Sequence, residues 1–292
     1  MTPNPPGPPP PGPPARLAPV ALSIVIVSYN ARADLERCLA SLAEHPPSAS
    51  HEIIVVDNAS ADRSADAARG HGAHVIETGA NLGFGRANNV GIRASRGMNV
   101  LLLNSDTLVR TNTIDRLLGV LAERPDIAVV GPRLVDREGR AELSFGRMIG
   151  PLTEWRQKRL VAGNDRRDPA ISATVDRMTR QEQIVDWVSG ACLLVRRAEA
   201  DRAGLFDERF FLYTEDVDFC AAVRAAGGKV LFWPAAEIVH LRGRSGIGDA
   251  DATYGAYARS RLAFYEKHHP VWAPVLRLLI RLRRTDISST PK

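Results

Sequence analysis

Val100-Leu101-Leu102-Leu103-Asn104-Ser105-Asp106 is an apolar run that ends in a polar cluster and a carboxylate. Such a run, followed at once by turn-forming residues, reads as a strand buried on both faces. In open α/β sheets, strands of this kind deliver polar groups to the carboxyl edge, where ligands bind. A carboxylate at that edge suits a hard divalent cation held against the phosphates of a nucleotide. The same residues also read as an Asn/Asp turn or a helix cap before the helical pattern at 112–122.

Around this stretch, β-branched runs at 22–27, 52–56, 74–77 and 127–130 alternate with helical patterns at 33–43, 61–69 and 85–95. The alternation predicts βαβ units and a largely parallel sheet. Polar clusters follow three more of these strands: Ser28-Tyr29-Asn30, Asp57-Asn58, and Asn81-Leu82-Gly83-Phe84-Gly85. Four strand ends with hydrogen-bonding residues describe one polar crevice that a single ligand can span. Taken singly, each has a local explanation: Asn30 or Asp62 as a helix cap, Asp57-Asn58 as an Asx turn, Gly83 and Gly85 as positive-φ positions. The glycine cluster begins as G-x-G but carries Asn88 where a third small residue belongs, and it follows the third strand. That does not match a dinucleotide fingerprint, although the turn could still bring backbone amides to a phosphate.

Beyond Gly131 the alternation lapses. Asp136-Arg137-Glu138-Gly139 reads as a hairpin turn, and 145–184 is polar, basic and weakly periodic, as an insertion or mobile loop would be. Pattern returns as a broken β-run at 185–195 around Ser189-Gly190, a helix at 217–226 closed by Gly227-Gly228, and a strand at 229–233. Before that helix, Phe206-Asp207-Glu208 and Tyr213-Thr214-Glu215-Asp216-Val217-Asp218 crowd acidic residues into an aromatic-rich loop. They read either as capping acids stabilised by the helix dipole or as a setting for one general base. His240, followed by Arg242 and Arg244 among glycines, is either structural or a contact for metal and diphosphate.

The chain has 292 residues and a net charge of +5, with an isoelectric point near 9.4. That charge permits phosphorylated ligands and anionic lipid, but no aromatic-plus-basic pattern or zinc-finger spacing supports nucleic-acid binding. Residues 1–19 are almost all Pro, Gly and small side chains, predicted to be a disordered tail without a signal peptide. Cys38, Cys192 and Cys220 form no metal pattern, which favours buried thiols and a reducing, cytoplasmic setting. The 251–292 segment reads as a helical, basic tail. Its 275–284 stretch interleaves leucines with arginines and is too short to span a bilayer. It either lies at a membrane surface, through about 271–284, or packs its leucines on the domain.

The ordered set Val27-Ser28-Tyr29-Asn30, Asp57-Asn58-Ala59-Ser60, Asn81-Leu82-Gly83-Phe84-Gly85-Arg86-Ala87-Asn88-Asn89, Asn104-Ser105-Asp106, Ser189-Gly190-Ala191, Glu215-Asp216-Val217-Asp218 and His240 resembles the inverting glycosyltransferases of family 2, rhamnosyltransferase-like branch. The resemblance implies a GT-A fold over 20–250, with a nucleotide-sugar half to about 131 and an acceptor half from about 132. It implies a nucleoside-diphosphate sugar donor held by Ser28, Tyr29, Asn30, Asp57, Asn58, Asn81, Gly83, Asn88, Asn104, Asp106, Arg242 and Arg244. Asp216 is implied as the base, and Trp187, Gly190, Tyr213 and Glu215 as acceptor contacts. Mg2+ or Mn2+ would sit at Asp106 and His240, although Asn104 stands where the family's D-x-D has its first carboxylate. A glycan or polyprenyl-linked saccharide acceptor, and a peripheral place at the inner face of the cell membrane, are further expectations. The rival readings are a catalytically inactive binding module of the same fold and a sugar-nucleotide pyrophosphorylase. The latter needs a glycine- and arginine-rich loop after strand one, which Ser28-Tyr29-Asn30-Ala31-Arg32 does not supply.

Overall fold

In the computed structural model, residues 20–241 and 250–288 are described; the 1–19 tail, Arg242 and Arg244 lie outside the described residues. The first half runs β1 (Leu22–Ser28), α1 (Arg32–Glu44), β2 (His51–Asp57), α2 (Ser64–Gly70), β3 (His74–Glu77), α3 (Phe84–Ala94), β4 (Asn99–Asn104), β5 (Thr107–Val109), α4 (Thr113–Glu123) and β6 (Ile127–Val135). It continues with β7 (Phe145–Gly146), α5 (Pro151–Asp165), α6 (Pro169–Met178), β8 (Gln183–Val185), β9 (Trp187–Val188), β10 (Cys192–Arg196) and α7 (Arg197–Arg202). The chain then forms α8 (Glu215–Ala225), β11 (Lys229–His240), α9 (Ala250–His268) and α10 (Ala273–Ser288).

The main sheet has the order β3-β2-β1-β4-β10-β6-β11-β5, with β8 also paired to β11. Strands β1 to β4, β6 and β11 point one way, while β10, β5 and β8 run against them. β4 lies in the middle, parallel to β1 and antiparallel to β10. Its side chains alternate between two cores, as a strand covered on both faces must. Val100 and Leu102 face the core built with α3, α8 and Phe206, whereas Leu101 and Leu103 face that of α1 and α4. All four are buried, each worth about 1.5–3 kcal/mol in apolar burial.

The 145–184 stretch, expected as an insertion or mobile loop, is mostly helical, which overturns only the loop alternative. Pro151 and Pro169 occupy first-turn positions of α5 and α6, and the Asp168 side chain caps α6 by accepting from the Ala170 and Ile171 N–H groups. Its weak periodicity follows from position: α5 has only Glu154 and Gly163 buried, so little of it needs to be apolar. The divisions expected at 131/132 and 250/251 fall inside β6 and at the start of α9. Cys38, Cys192 and Cys220 are buried free thiols, and burial pushes the Cys38 and Cys220 thiols up to about 12.

Candidate active site

Parallel pairing aligns the strand ends. Ser28 of β1 is level with Asp57 of β2, and Val27 is level with Asn104 of β4. Ser28 Oγ, Asp57 Oδ1 and Asn104 Oδ1 are all buried without a hydrogen-bond partner among the described residues. Buried polar atoms are normally paired, and an unpaired one costs about 1–3 kcal/mol. Three orphans side by side at the carboxyl edge mark a place made for a polar ligand. Nearby, the Asn30 carboxamide accepts from Ala61 N–H at 2.7 Å, and Asp57 Oδ2 accepts from Ser60 N–H at 3.1 Å, which fixes the loops around half-exposed Tyr29.

The glycine-rich turn has a structural part of its own. Asn58 Nδ2 donates to Asn81 Oδ1, which also accepts from Gly83 N–H, and Asn58 Oδ1 accepts from Leu82 N–H. Gly83 has φ +83°, and a Cβ there would lie 2.3 Å from the Phe211 carbonyl oxygen. The Phe84 N–H, at the start of α3, donates to that same carbonyl at 2.8 Å. Close approach to the acidic loop therefore accounts for Gly83. Asn88 turns its amide back to the Phe84 carbonyl, whereas Asn89 exchanges two hydrogen bonds with the Phe206 backbone.

The acidic loop separates into structural and available carboxylates. Asp218 is buried against Lys267 Nζ (2.8 Å) and His268 Nε2 (2.6 Å), Asp207 pairs with Arg209 and Lys267, and Glu208 lies beside Arg86 and Arg93. Among the described residues no cation pairs with Glu215 or Asp216. Tyr213 and Thr214 precede them with φ of +69° and +66°, consecutive left-handed positions of the costly kind that persist where surrounding structure enforces them. Asp216 Oδ2 accepts from Gly190 N–H at 2.9 Å and Oδ1 from Val217 N–H at 2.8 Å. Burial raises its carboxyl above the ordinary value, and those N–H groups oppose the rise. Glu215 is buried, its Oε2 without a hydrogen-bond partner among the described residues, and burial together with the Asp216 charge pushes it up to about 8. Asn104 N–H donates to the Ala191 carbonyl at 2.9 Å, so the 189–191 turn joins the end of β4 to Asp216.

Asp106 and His240 meet through the sheet. In the antiparallel β11–β5 pairing, His240 lies opposite Thr107, and Leu241 N–H donates to the Asp106 carbonyl at 2.8 Å. His240 Nε2 stands 3.3 Å from Asp106 Oδ1, and its Nδ1 is 3.0 Å from Glu142 Oε2. Burial disfavours the charged ring, but the hydrogen bonds and charges of the two carboxylates outweigh it and hold the imidazole up at about 9. His binds metal as the neutral ring, so an Mg2+- or Mn2+-like ion would take the place of the proton between His240 Nε2 and Asp106 Oδ1. Among the described residues no group of three His, Cys, Asp or Glu is arranged to hold a metal. A cation at Asp106 and His240 would thus draw further ligands from substrate oxygens and water, as Mg2+ commonly does.

Glu142 is the residue the sequence reading missed. Its signal was the alternation Ala141-Glu142-Leu143-Ser144-Phe145, in which Ala141, Leu143 and Phe145 enter one core and leave Glu142 and Ser144 on the other side, also buried. Trp187 is taken up by structure: its indole N–H donates to the Arg147 carbonyl at 2.9 Å, and its ring covers Gly146. A Cβ at Gly190 would lie 3.2 Å from the Phe84 ring and 3.3 Å from the Asp216 Cβ, a tight fit between the two. Tyr213 stays half exposed, edge-on to Tyr257.

This sheet, with a polar crevice at its carboxyl edge and an acidic loop folded across it, is the GT-A fold of nucleotide-sugar transferases. A mannosyltransferase from Pyrobaculum calidifontis, solved with GDP-mannose and Mn2+, superposes with a TM-score of 0.60 over 88% of this chain and 68% of its own, at 18% identity. Residues 23–183 match Glycosyl transferase family 2, and the chain belongs to that family, whose members are glycosyltransferases. It is 32% identical over 268 residues, 86% of each chain, to the N-acetylglucosaminyl-diphospho-decaprenol L-rhamnosyltransferase of Mycobacterium tuberculosis. It is 24% identical over 228 residues, 74% of this chain and 82% of the relative, to rhamnosyltransferase WbbL of Escherichia coli K12.

Proposed function

We propose that the protein transfers an L-rhamnosyl group from a nucleoside-diphosphate donor to a hydroxyl of a sugar carried on a lipid diphosphate, with inversion at the anomeric carbon. The sugar and acceptor class rest on the similarity to the mycobacterial L-rhamnosyltransferase over 86% of each chain. The observation that carries the chemistry is the hydrogen-bonded link from Asn104 through 189–191 to Asp216, which sets beside the crevice a carboxylate with no cation partner among the described residues.

Asp216 takes the proton of the acceptor hydroxyl. The hydroxyl oxygen then bonds to the anomeric carbon as the bond from that carbon to the diphosphate oxygen breaks on the opposite face. A carboxyl raised by burial is a better base than a free one, and burial with the Asp216 charge favours the neutral form of Glu215 beside it. Ser28, Asp57 and Asn104 receive the polar groups of the donor, and Tyr213 gives the acceptor sugar an aromatic face. A divalent ion bound by Asp106 and His240 would supply Lewis acidity to the leaving diphosphate.

The test offers UDP-, GDP- and dTDP-linked sugars, rhamnosyl donors included, with a short-chain polyprenyl-diphosphate N-acetylglucosamine. The product is read by mass spectrometry and its anomeric configuration by NMR. Transfer of rhamnose with inversion is expected. Turnover of a different sugar only, or a retained anomer, would overturn the assignment.

A further inference from the structure

The surface of α10 carries more apolar side chain than the fold uses. Ala273 and Leu276 are buried, and Ile280 packs on the core shared with Phe264 and Tyr265. At 100° per residue these three form one stripe. Val275, Leu278 and Leu279 form a second stripe on the opposite side of the same helix, each about half exposed. The inward stripe explains why α10 docks, but the outward stripe contributes nothing to the domain's core.

A second element adds to it. His269 Nε2 lies 2.6 Å from the Ile149 carbonyl, and Tyr265 OH donates to Glu154 at 2.6 Å, so the first turn of α5 abuts the α9–α10 corner. At that corner Val271 is 85% and Trp272 50% exposed, and on α5 Leu152 is 59% and Trp155 56% exposed. These are long aliphatic and indole side chains on two neighbouring elements, the size and chemistry that insert into the headgroup–acyl boundary.

The flanking charge is mostly basic. Residues 271–282 contain Arg277 and Arg281 and no acid; Arg277 pairs with the exposed Glu266 of α9, and the other arginine adds net positive charge. The 147–162 segment carries Arg147, Arg156, Lys158 and Arg159 against a single carboxylate, Glu154, which is buried and ion-paired with Arg261. The Arg159 guanidinium lies 5.7 Å from the Trp155 ring. A partner that covers this face must accept indole and leucine side chains inside a basic rim, as a bilayer with anionic headgroups does.

From these observations we infer that the outward face of α10 and the first turns of α5 form one docking surface for an anionic lipid bilayer. The inference deepens the reading of a lipid-linked acceptor and rests on it for its purpose. The surface connects to the acceptor side: Tyr257, edge-on to Tyr213, and His268, next to the corner, lie on the same helix α9. Eleven residues separate them, about 16 Å of helix axis. Docking would hold the base near the headgroup layer, within reach of a saccharide whose lipid stays in the membrane.

The experiment sediments the full chain with vesicles of neutral phosphatidylcholine and with vesicles containing about a third phosphatidylglycerol, without donor or acceptor. Binding to the anionic vesicles that weakens with salt, with a blue shift of tryptophan emission, is expected. Leu278→Glu with Leu279→Glu should lower partitioning at least about tenfold. Arg156→Gln with Arg159→Gln should lower it about fivefold per arginine and flatten the salt dependence. Both variants should keep the wild-type melting temperature and transfer to a water-soluble acceptor. No binding to anionic vesicles, or binding that neither pair changes, would overturn the inference. So would a dimer in solution that the leucine pair abolishes, since this face would then contact protein. The binding arm contains no sugar, so loss of the rhamnosyl reading leaves it standing. Vesicle failure by an active enzyme defeats the docking surface alone.

Discussion

Asp216→Asn should remove catalysis at a predictable structural cost. The carboxylate accepts two backbone N–H groups, Gly190 at 2.9 Å and Val217 at 2.8 Å, one on each oxygen. An Asn side chain has a single acceptor oxygen, so it keeps one bond and turns its NH2 against the other donor. One buried N–H left without a partner costs about 1–3 kcal/mol, which lowers the melting temperature by a few degrees in a chain of this size. The donor crevice at Ser28, Asp57 and Asn104 is untouched, so donor Kd should change by less than about threefold. Loss of a positioned base costs about 10²–10⁴ in rate. Loss of the Asp216 charge also removes one of the causes that hold Glu215 up, so the Glu215 carboxyl should titrate lower in the variant. The assay measures kcat at saturating donor and acceptor, donor affinity by calorimetry, and a thermal melt on the same preparation. A kcat within tenfold of wild type, with donor affinity intact, would refute the base assignment. A parallel collapse of donor binding would show that Asp216 serves the donor instead.

Glu142→Gln should lower Mn2+ affinity about 10–100-fold, read by electron paramagnetic resonance, because the carboxylate at His240 Nδ1 orients the ring and raises its basicity. Unchanged affinity would sever that link. Glu215 titrates near 8 when folded and near 4.5 when free. The folded state therefore binds the extra proton, and stability falls as pH rises from 4.5 through about 8, by at most about 1.4 kcal/mol per unit. Glu215→Gln should flatten that slope in denaturant melts across pH; an unaltered slope would place its cause elsewhere. Asp218→Asn breaks a buried ion pair to Lys267 and His268 and should cost about 3 kcal/mol of stability, while kcat of the folded fraction stays near wild type. A kcat loss matching that of Asp216→Asn would mean that the two acids share the chemistry.

The crevice was legible because its residues are local to strand ends. An apolar run followed by Asn104-Ser105-Asp106 announces where the chain leaves the sheet, and Ser28 and Asp57 do the same on neighbouring strands. The acidic loop was legible as a cluster but not as roles. Which acid is structural depends on Lys267 and His268, about fifty residues later, and no pattern near Asp218 points to them. The polar 145–184 stretch misled because α5 and α6 cover the domain with few buried side chains, so their helical period is faint.

The sequence by itself determined the parallel strands, the polar sheet edge and the candidate residues, since alternation and turn chemistry act over a few neighbours. Tertiary structure decided how they combine. The antiparallel entry of β10 joins Asn104 to Asp216, the β11–β5 pairing brings His240 to Asp106, and the return at 136–142 brings Glu142 to His240. Each of these contacts spans far more chain than a local signal can reach. The packing of α10 likewise buries Leu276 and leaves Leu278 and Leu279 in water, although all three are leucines within four positions. Local hydropathy cannot separate them; the direction from which the core approaches the helix does.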